Sequence, residues 1–422
     1  MTDVPPMAGG GDVEVAVVGA GPNALAVVAH LVASKPSLRE RIAVLDPSGE
    51  WLRTWRTHFA RLEIDVLRSP IVHHPDVDPG ALARYVTEER LPRSGLPYDP
   101  PFTTNFESFC TGVIDRLGLH DLPSAARVCE ISPGDPITLT TDGGEIRARH
   151  VVWTGNTARP IVPDAFDGLV ADDGLVDHGH RVDLRTIPDL AGAHVVVVGG
   201  GLTAGHLAVA AAARDASVTL FTRRDIVERD FDVEPGWLGP RHLADFSDLD
   251  DPRDRLDAAL AGRGGGSMPG WMRARLHSEI EAGRLTHVVA PIDRAVRRSD
   301  RIDLELDGRT LTADRCWLAT GTRPDVRLDP ALAAVVDHHL DGIPVTDHDL
   351  RVGGIDLFVS GRLAMLELGP AAGNLWGART AARRIGRALT GIDLDADAAV
   401  AIVPPIPTPR PNHLTTRNGA RP

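Results

Sequence analysis

Two copies of one local pattern constrain this chain most: an apolar strand, a glycine-rich turn, and a helix of small apolar residues. The first copy is VEVAVVGAGPNALAVVAHLVA at 13–33, and the second is HVVVVGGGLTAGHLA at 194–208. This arrangement is typical of a dinucleotide-binding βαβ unit, in which the pyrophosphate lies at the N-terminus of the helix. The repetition therefore predicts an α/β protein with two Rossmann-like nucleotide-binding domains.

The length agrees with two domains, because 422 residues exceed the roughly 250–300 residues that one hydrophobic core usually serves. The motif order predicts a discontinuous first domain, with the second domain inserted into it. Within the second domain a polar stretch is predicted to be an irregular insertion, and a proline-rich tail is predicted to be disordered. The first domain is predicted at 12–175 and 325–403, and the second domain at 176–324. The irregular insertion is predicted at 225–275 and the disordered tail at 404–422, and residues 1–11 are also expected to be loose.

The first turn has the residues that a dinucleotide needs. Gly19 and Gly21 permit a tight turn and a close backbone approach to the phosphates. The helix begins at Pro22 and Asn23, so its first amides are directed at the phosphates. Asp46 follows the next strand, IAVL, where a carboxylate can accept hydrogen bonds from a ribose diol. We therefore predict that this unit binds a dinucleotide.

The second turn repeats the pattern but ends its second strand differently. Its equivalent residues are Gly199, Gly201, Leu202 and Thr203. Arg223 and Arg224 follow the strand SVTLF, in the region where an acid would select a free 2′-hydroxyl group. A guanidinium there can pair with the 2′-phosphate of NADPH, so NADPH is favoured over NADH. The alternative is a solvated arginine pair at the end of a strand.

Composition excludes several other classes of function. The net charge of −13 argues against nucleic acid and against an anionic membrane as partners. The three cysteines form no Cys-x-x-Cys pair, so neither a disulfide framework nor a dithiol redox centre is expected. The N-terminus lacks the pattern of a signal peptide, and a reducing, cytoplasmic location is therefore expected. A homo-oligomer is left open.

The order of these motifs resembles the flavoproteins with two dinucleotide-binding domains, which bind FAD in the first domain and NAD(P)H in the second. The resemblance covers about residues 12–395 and implies FAD and NADPH as cofactors. It also implies cofactor contacts at two strand ends and in a C-terminal segment. These residues are Thr154, Gly155, Thr320, Gly321, Gly361, Gly369 and Pro370. The chain departs from the common pattern at Arg362, where many relatives have an aspartate near the ribityl chain of the flavin.

Residues 51–86 resemble the corresponding stretch of the class B and N-hydroxylating flavin monooxygenases, the lysine and ornithine hydroxylase type. In those enzymes the stretch lies along the flavin and helps to form the substrate cleft. The resemblance implies that Trp55 flanks the flavin and that His73 and His74 pack against the flavin or the substrate. Arg68 is a candidate for bidentate binding of a substrate carboxylate. Each assignment has a structural alternative. Trp55 could be a core aromatic residue, Arg68 could form a structural ion pair, and His73 and His74 could lie in a surface turn. A metal site is disfavoured, because adjacent histidines rarely bind one ion together.

Trp237 is the remaining substrate candidate, and it lies within the insertion 225–275. This insertion is predicted to be one of three things: a loop that closes over the nicotinamide or substrate, a disordered excursion, or a dimer contact.

The resemblance implies an NADPH-dependent FAD monooxygenase that oxygenates a small molecule with O2, through a C4a-hydroperoxyflavin. An amine nitrogen is one candidate for the oxidised atom. The flavin supplies the difficult chemistry, so no catalytic side chain and no metal is predicted. Two alternatives stay open: an NADPH-dependent reductase without oxygen insertion, and a non-catalytic flavin-binding protein.

Overall fold

The computed structural model describes residues 12–171, 173–187 and 189–394, and it places each glycine-rich unit in a sheet of its own. This arrangement confirms the predicted α/β class. The expectations for residues 1–11 and for the tail 404–422 fall outside the described residues, as does the end of the predicted first domain at 395–403.

The helices of the described residues are α1 (Pro22–Ser34), α2 (Arg53–Arg61), α3 (Ala81–Glu88), α4 (Thr103–Leu117), α5 (Leu202–Ala212), α6 (Pro240–Ser247), α7 (Pro252–Arg263), α8 (Gly270–Glu281), α9 (Pro330–Ala333), α10 (Met365–Leu368) and α11 (Leu375–Thr390).

The strands are β1 (Asp12–Val18), β2 (Ile42–Asp46), β3 (Pro123–Ala125), β4 (Val128–Ser132), β5 (Ile137–Thr141), β6 (Gly144–Trp153), β7 (Ala158–Pro160), β8 (Val176–His178), β9 (His194–Val198), β10 (Ser217–Thr222), β11 (Val227–Glu228), β12 (Ser267–Met268), β13 (Leu285–Val289), β14 (Arg294–Arg297), β15 (Ile302–Leu306), β16 (Arg309–Ala313), β17 (Arg315–Leu318), β18 (Thr322–Pro324), β19 (His339–Leu340), β20 (Ile343–Pro344) and β21 (Leu357–Val359).

The first sheet has the order β3-β2-β1-β6-β5-β4, and β21 pairs with the C-terminal half of β6. Strands β3, β2, β1, β6 and β21 are parallel, whereas β4 and β5 are antiparallel to their neighbours. The strand order reverses at β1, because β2 lies on one side and β6 on the other. A ligand of such a sheet binds outside the carboxyl end of its strands at this reversal, next to the first glycine turn.

The second sheet is parallel throughout and has the order β13-β10-β9-β17-β8. Its strand order reverses at β9, so the second glycine turn occupies the same topological position as the first. Helices α5 and α8 supply the apolar residues that pack with one face of this sheet, and strands β14–β16 supply those that pack with the other face. The pattern VVVV of β9 suits burial on both faces.

The segment predicted as an irregular insertion, 225–275, is largely helical. The prediction of irregular structure was wrong because it followed the many charged residues and glycines of this segment and overlooked the local helix signals that are present. Asp251 caps α7 by accepting a hydrogen bond from the amide of Arg253, at 2.8 Å, and Pro252 is its first residue. Gly264 ends this helix in the left-handed conformation, with φ of +61°. These are ordinary start and stop signals of a helix.

These helices pack in the first core and not in the second. Phe246 of α6 and Leu256 and Ala259 of α7 are buried in the cluster that also contains β1, α1 and α11. The insertion therefore leaves the second sheet after β10, packs on the segment that carries α10, and returns through β12 to α8. The domain boundaries stay a prediction: 12–175 with 325–403 for the first domain and 176–324 for the second. Helices α6 and α7 lie within the second range but pack in the core of the first domain.

Within residues 12–171, 173–187 and 189–394 there is no helix with both the length and the apolarity that crossing a lipid bilayer requires.

Candidate active site

The first glycine turn lies against the end of β6. Gly19 has φ of +103°, and a Cβ atom built on it would lie 2.7 Å from Oγ1 of Thr154. The Thr154 hydroxyl itself donates to the carbonyl oxygen of Val18 at 2.8 Å. Both the conformation and the contact require glycine at position 19. The structure thus brings together two of the residues that the sequence assigned to the first cofactor.

The other side of this turn is free. A Cβ on Gly21 would have no described atom within 4 Å, and no side chain caps the helix that begins at Pro22. The uncapped amides of α1 therefore form an anion-binding position with room for a ligand. This open, uncapped helix end fits a dinucleotide pyrophosphate.

Asp46 holds β2 to the first turn. Its Oδ2 accepts a hydrogen bond from the amide of Ala20 at 3.1 Å, and its Oδ1 accepts from the amide and hydroxyl of Ser48 at 2.9 and 2.6 Å. A carboxylate offers about four acceptor positions. Three are occupied here, so one position is left for a ribose hydroxyl group.

The C-terminal segment reaches the same turn. The Ser360 hydroxyl donates to Oδ1 of Asn23 at 3.3 Å, and a Cβ on Gly361 would lie 3.5 Å from Nδ2 of Asn23. On the β6 side, a Cβ on Gly155 would lie 3.0 Å from Nε1 of Trp153, so Gly155 also allows a close approach. Asn23, Gly155 and Gly361 therefore lie close to the first glycine turn, and their contact with a cofactor stays a prediction.

Arg362 is a largely buried guanidinium next to this turn, without an ion-pair partner among the described residues. It donates to the hydroxyl and the carbonyl oxygen of Thr322, whereas its Nε has no acceptor. Burial, together with the charge of Arg263, lowers the pKa of Arg362 to about 10. Gly373 leaves room for the side chain, because a Cβ there would lie 3.1 Å from Cδ of Arg362. An unpaired buried cation favours an anionic ligand.

The second glycine turn repeats the geometry of the first. Gly199 has φ of +144°, and a Cβ on it would lie 2.8 Å from the carbonyl carbon of Ala319. Leu202 and Thr203 begin α5, which no side chain caps. The turn differs in one respect, because a Cβ on Gly201 would lie 3.5 Å from Cα of Gly266. The returning end of the insertion covers this turn.

The two arginines after β10 are not equivalent. Arg223 is exposed and makes no hydrogen bond or ion pair with another described residue. Arg224 is also exposed, but its guanidinium donates to the carbonyl oxygen of Gly264. Arg223 is therefore the arginine whose donors are available to a 2′-phosphate.

Thr320 and Gly321 lie where the chain passes between the two sheets. The Thr320 hydroxyl donates to the carbonyl oxygen of Ile161, and the Ile161 amide donates to the carbonyl oxygen of Gly321 at 2.9 Å. Next to them, Nδ1 of His178 and Nδ1 of His180 are 2.8 Å apart. Burial, together with the neighbouring His180, lowers the pKa of His178 to about 4. These threonine and glycine residues shape the crossing, and a cofactor contact there stays a prediction.

Arg68 tethers the two domains. Its guanidinium donates to the carbonyl oxygens of Arg229, Asp230 and Phe231, and to the carbonyl oxygen and hydroxyl of Ser267. Since these protein acceptors occupy nearly all of its five donors, Arg68 is not available to bind a substrate carboxylate. The predicted substrate role is therefore corrected, and the alternative of an ion pair is corrected as well, because the partners are neutral.

His73 and His74 are placed differently. His74 is 1% exposed, pairs its Nε2 with the carbonyl oxygen of Pro79 at 3.1 Å, and packs edge-on against Phe109. Burial lowers the pKa of His74 to about 4, so a neutral core residue describes it best. His73 is half-buried, and burial lowers its pKa to about 4. Of the two histidines, His73 is the one that is not fully buried.

The two tryptophan candidates also separate. Trp55 packs against Phe59 and Phe106, with ring centroids 4.4 and 5.2 Å away, which agrees with its alternative as a core aromatic. Trp237 lies against the C-terminal segment, where a Cβ on Gly369 would be 3.6 Å from its ring. The structure thus joins Trp237 to Gly369, two residues that the sequence assigned to different roles.

A polar centre that the sequence did not reveal lies beside these residues. Asp232 pairs with Arg263 at 3.3 Å and lies 3.4 Å from Nδ2 of Asn374, and Arg263 donates to the carbonyl oxygen of Pro370 at 3.1 Å. The carboxylate of Asp232 also raises the pKa of His73 and Arg362 against the larger effect of burial. No spacing in the sequence links these residues, because they come from three distant segments.

Comparisons with known proteins agree with a fold that has two dinucleotide-binding units. Residues 13–236 match the family model described as pyridine nucleotide-disulphide oxidoreductase. No curated protein sequence matches the chain.

Three solved structures of low identity share the fold. The FAD-bound cadaverine monooxygenase DfoA of Erwinia amylovora is 15% identical, with a TM-score of 0.70 over 90% of this chain and 95% of that one. The ornithine hydroxylase PvdA of Pseudomonas aeruginosa is 15% identical, with a TM-score of 0.71 over 90% and 99%. The L-lysine 6-monooxygenase of Pseudomonas syringae is 19% identical, with a TM-score of 0.68 over 89% and 99%. At this identity the likeness shows the fold.

Proposed function

The chain belongs to the pyridine nucleotide-disulphide oxidoreductase family, and we propose that within it the protein is an NADPH-dependent FAD monooxygenase of a small molecule. It is an oxidoreductase that takes FAD and NAD(P)H as cofactors. The observation that carries the proposal is the pair of glycine turns, each at the reversal point of its own sheet and each in contact with a strand end. We assign FAD to the first turn and NADPH to the second.

The cysteines argue against disulfide reduction. Cys110 and Cys316 are buried and Cys129 is exposed, and none of the three forms a disulfide. Burial raises the pKa of both the Cys110 and the Cys316 thiol, so neither forms a reactive thiolate readily. Without a reactive pair, reduced flavin needs another electron acceptor. Molecular oxygen is the acceptor that the structural relatives named as monooxygenases use, and we propose it here.

The residues of the first site would hold FAD as follows. The amides of α1 bind the pyrophosphate, the free acceptor position of Asp46 binds a ribose hydroxyl, and Arg362 pairs with a negatively charged part of the cofactor. Bound FAD supplies hydride acceptance and oxygen activation. Domain assignments follow from this: 12–175 with 325–403 for FAD, and 176–324 for NADPH.

We propose that the substrate binds at the polar centre of Asp232, Arg263 and Asn374, beside Trp237 and Gly369, and that His73 faces this region. The Asp232 carboxylate can attract a substrate ammonium group, and the Arg263 guanidinium, 3.3 Å away, can bind a substrate carboxylate group. Trp237 packs against Gly369 of the C-terminal segment, where its ring would limit the access of water to the site of oxygen transfer. An amine nitrogen is therefore the favoured site of oxygenation.

The decisive experiment follows the oxygen. FAD-loaded protein reduced with NADPH is mixed with ¹⁸O₂ in the presence of ornithine, lysine or cadaverine, the substrates named for the structural relatives. Incorporation of ¹⁸O into one amine supports the proposal, and NADPH use should then be coupled to product. Rapid NADPH oxidation indicates the reductase if its only product is peroxide, or if its electrons reduce an added quinone. Bound flavin that NADPH does not bleach indicates a non-catalytic flavin-binding protein.

A further inference from the structure

The second glycine turn is covered by the chain itself, whereas the first is free. A Cβ on Gly21 would meet no described atom within 4 Å, but one on Gly201 would lie 3.5 Å from Cα of Gly266. Conversely, a Cβ on Gly266 would lie 2.7 Å from the amide nitrogen of Gly201 and 3.0 Å from the carbonyl carbon of Gly200. The second glycine of such a turn lacks a side chain so that the pyrophosphate can approach. Gly266 occupies that face.

We call residues 264–267 the glycine cover. Arg224 donates to the carbonyl oxygen of Gly264, and Arg68 donates to the carbonyl oxygen and hydroxyl of Ser267 at 3.1 and 2.9 Å. Gly264 and Gly265 have φ of +61° and +79°, so the cover begins with two residues in a conformation that glycine adopts easily. The cover is therefore held at one end by an exposed arginine and at the other by a partly buried arginine.

Arg224 is thus one of the two residues next to which a 2′-phosphate would bind, and it is already engaged. Its present acceptor is a neutral carbonyl oxygen. A phosphate dianion is the stronger acceptor, because a hydrogen bond between two charged groups is about twice as strong as one between neutral groups. Arg223 is free beside it and can make the first contact with the phosphate.

We propose that Arg224 is a latch that selects NADPH. The 2′-phosphate draws Arg224 away from Gly264, the glycine cover leaves Gly201, and the pyrophosphate can then reach α5. NADH has no 2′-phosphate to draw Arg224 away, so part of its binding free energy is spent on displacing the glycine cover. It therefore binds more weakly than the loss of the phosphate contact alone would explain. The inference rests on the proposed assignment of NADPH to the second turn.

The first test separates the latch from a simple phosphate ligand. Binding of NAD⁺ and NADP⁺ to FAD-loaded protein is measured by calorimetry for Arg224→Ala and for Arg223→Ala. Loss of the latch should tighten NAD⁺ binding by roughly tenfold, the value of one hydrogen bond to a charged group. Arg223→Ala is the matched control, and it should weaken NADP⁺ without tightening NAD⁺. If Arg224→Ala leaves NAD⁺ binding unchanged or weaker, Arg224 is not a latch.

A second variant opens the cover without changing an arginine. In Gly266→Ala the new Cβ would lie 2.7 Å from the Gly201 amide nitrogen, so the cover cannot close. NAD⁺ should again bind more tightly. Gly112→Ala, whose Cβ would meet no described atom within 4 Å, should change neither affinity. Equal weakening of NAD⁺ and NADP⁺ by Gly266→Ala would instead make the cover a wall of the binding site and overturn the proposal.

Hydrogen exchange reads the cover directly. Saturating NADP⁺ should increase exchange of the amides at 264–268, although a ligand ordinarily protects what it touches, and NAD⁺ at equal occupancy should do so less. If NADP⁺ slows exchange of the amides in the glycine cover, the latch is contradicted. It is also contradicted if neither nucleotide binds the wild type, Arg224→Ala or Gly266→Ala. If NADP⁺ opens the cover but NADPH does not reduce the flavin, the latch stands and the proposed function fails.

Discussion

A Cβ atom on Gly19 would lie 2.7 Å from Oγ1 of Thr154, so the first glycine turn and the end of β6 meet only because residue 19 has no side chain. Gly21, two residues further on, has no described neighbour at its Cβ position. One glycine of the turn thus serves the fold and the other leaves room for the ligand. This difference separates two substitutions that a sequence motif treats alike.

Gly19→Ala should destabilise the protein with or without FAD. The positive φ alone costs about 1–3 kcal/mol, and the contact with Thr154 adds to it. Gly21→Ala should leave the unfolding of the apoprotein unchanged and weaken FAD binding, and Gly21→Asp should abolish it by repulsion of the pyrophosphate. Thermal unfolding of the apoproteins and flavin content after FAD titration distinguish the two. Equal loss of stability in both variants contradicts this division.

Arg362→Met should raise the dissociation constant of FAD roughly tenfold, since a hydrogen bond to a charged group contributes about 1.5–3 kcal/mol. Fluorescence quenching of FAD upon binding measures it. Arg362→Lys keeps the charge and should recover part of the affinity. If Arg362 serves only to hold Thr322, both variants will lower the stability of the apoprotein and leave FAD binding unchanged.

Arg223→Ala should lower the preference for NADPH over NADH in flavin reduction by roughly tenfold, because a charge-assisted contact to the 2′-phosphate is lost. Stopped-flow absorbance under anaerobic conditions gives both rates. Arg294→Ala, at an exposed arginine of the same domain, is the control. An unchanged ratio would make Arg223 a surface residue with no part in coenzyme choice.

Arg68→Ala should lower the free energy of unfolding by about 3 kcal/mol, because several partly buried acceptors lose their donor at once. Urea unfolding measures the change. Arg68→Lys should recover little of it, since an ammonium group cannot span acceptors on both 229–231 and Ser267. A variant of normal stability with a raised KM for an amino-acid substrate would restore the substrate role.

Buried neutral histidines should make the protein sensitive to acid. Burial lowers the pKa of His74 from 6.5 to about 4 in the folded state. Between those values the unfolded state binds a proton that the folded state does not, so the free energy of unfolding falls as the pH falls below 6.5. The full effect is roughly 1–3 kcal/mol near pH 4. His74→Gln should reduce this dependence, measured by urea unfolding at several pH values.

The sequence predicted the two turns and their strands well, because a strand, a glycine pair and a helix are contiguous and each has a local cause. The spacing alone was enough to place Gly19 and Gly199 at the first position of their glycine turns. Asp232, Arg263 and Asn374 could not, since they meet only after α7 and α11 have packed on the same core. Arg68 was misjudged for a related reason: the donors of an arginine are visible in a sequence, but the carbonyl oxygens that receive them are not.

The crossing of α6 and α7 into the first core sets a limit on how such enzymes can be recombined. A nucleotide module exchanged as one continuous piece, 176–324, would carry Phe246, Leu256 and Ala259 away with it and leave a gap in the core of its host. A working chimaera has to keep 235–263 with the recipient and join the donor on either side. The residues proposed to select the coenzyme, Arg223 and Arg224 before α6 and the glycine cover after α7, would therefore enter such a chimaera as two separate pieces.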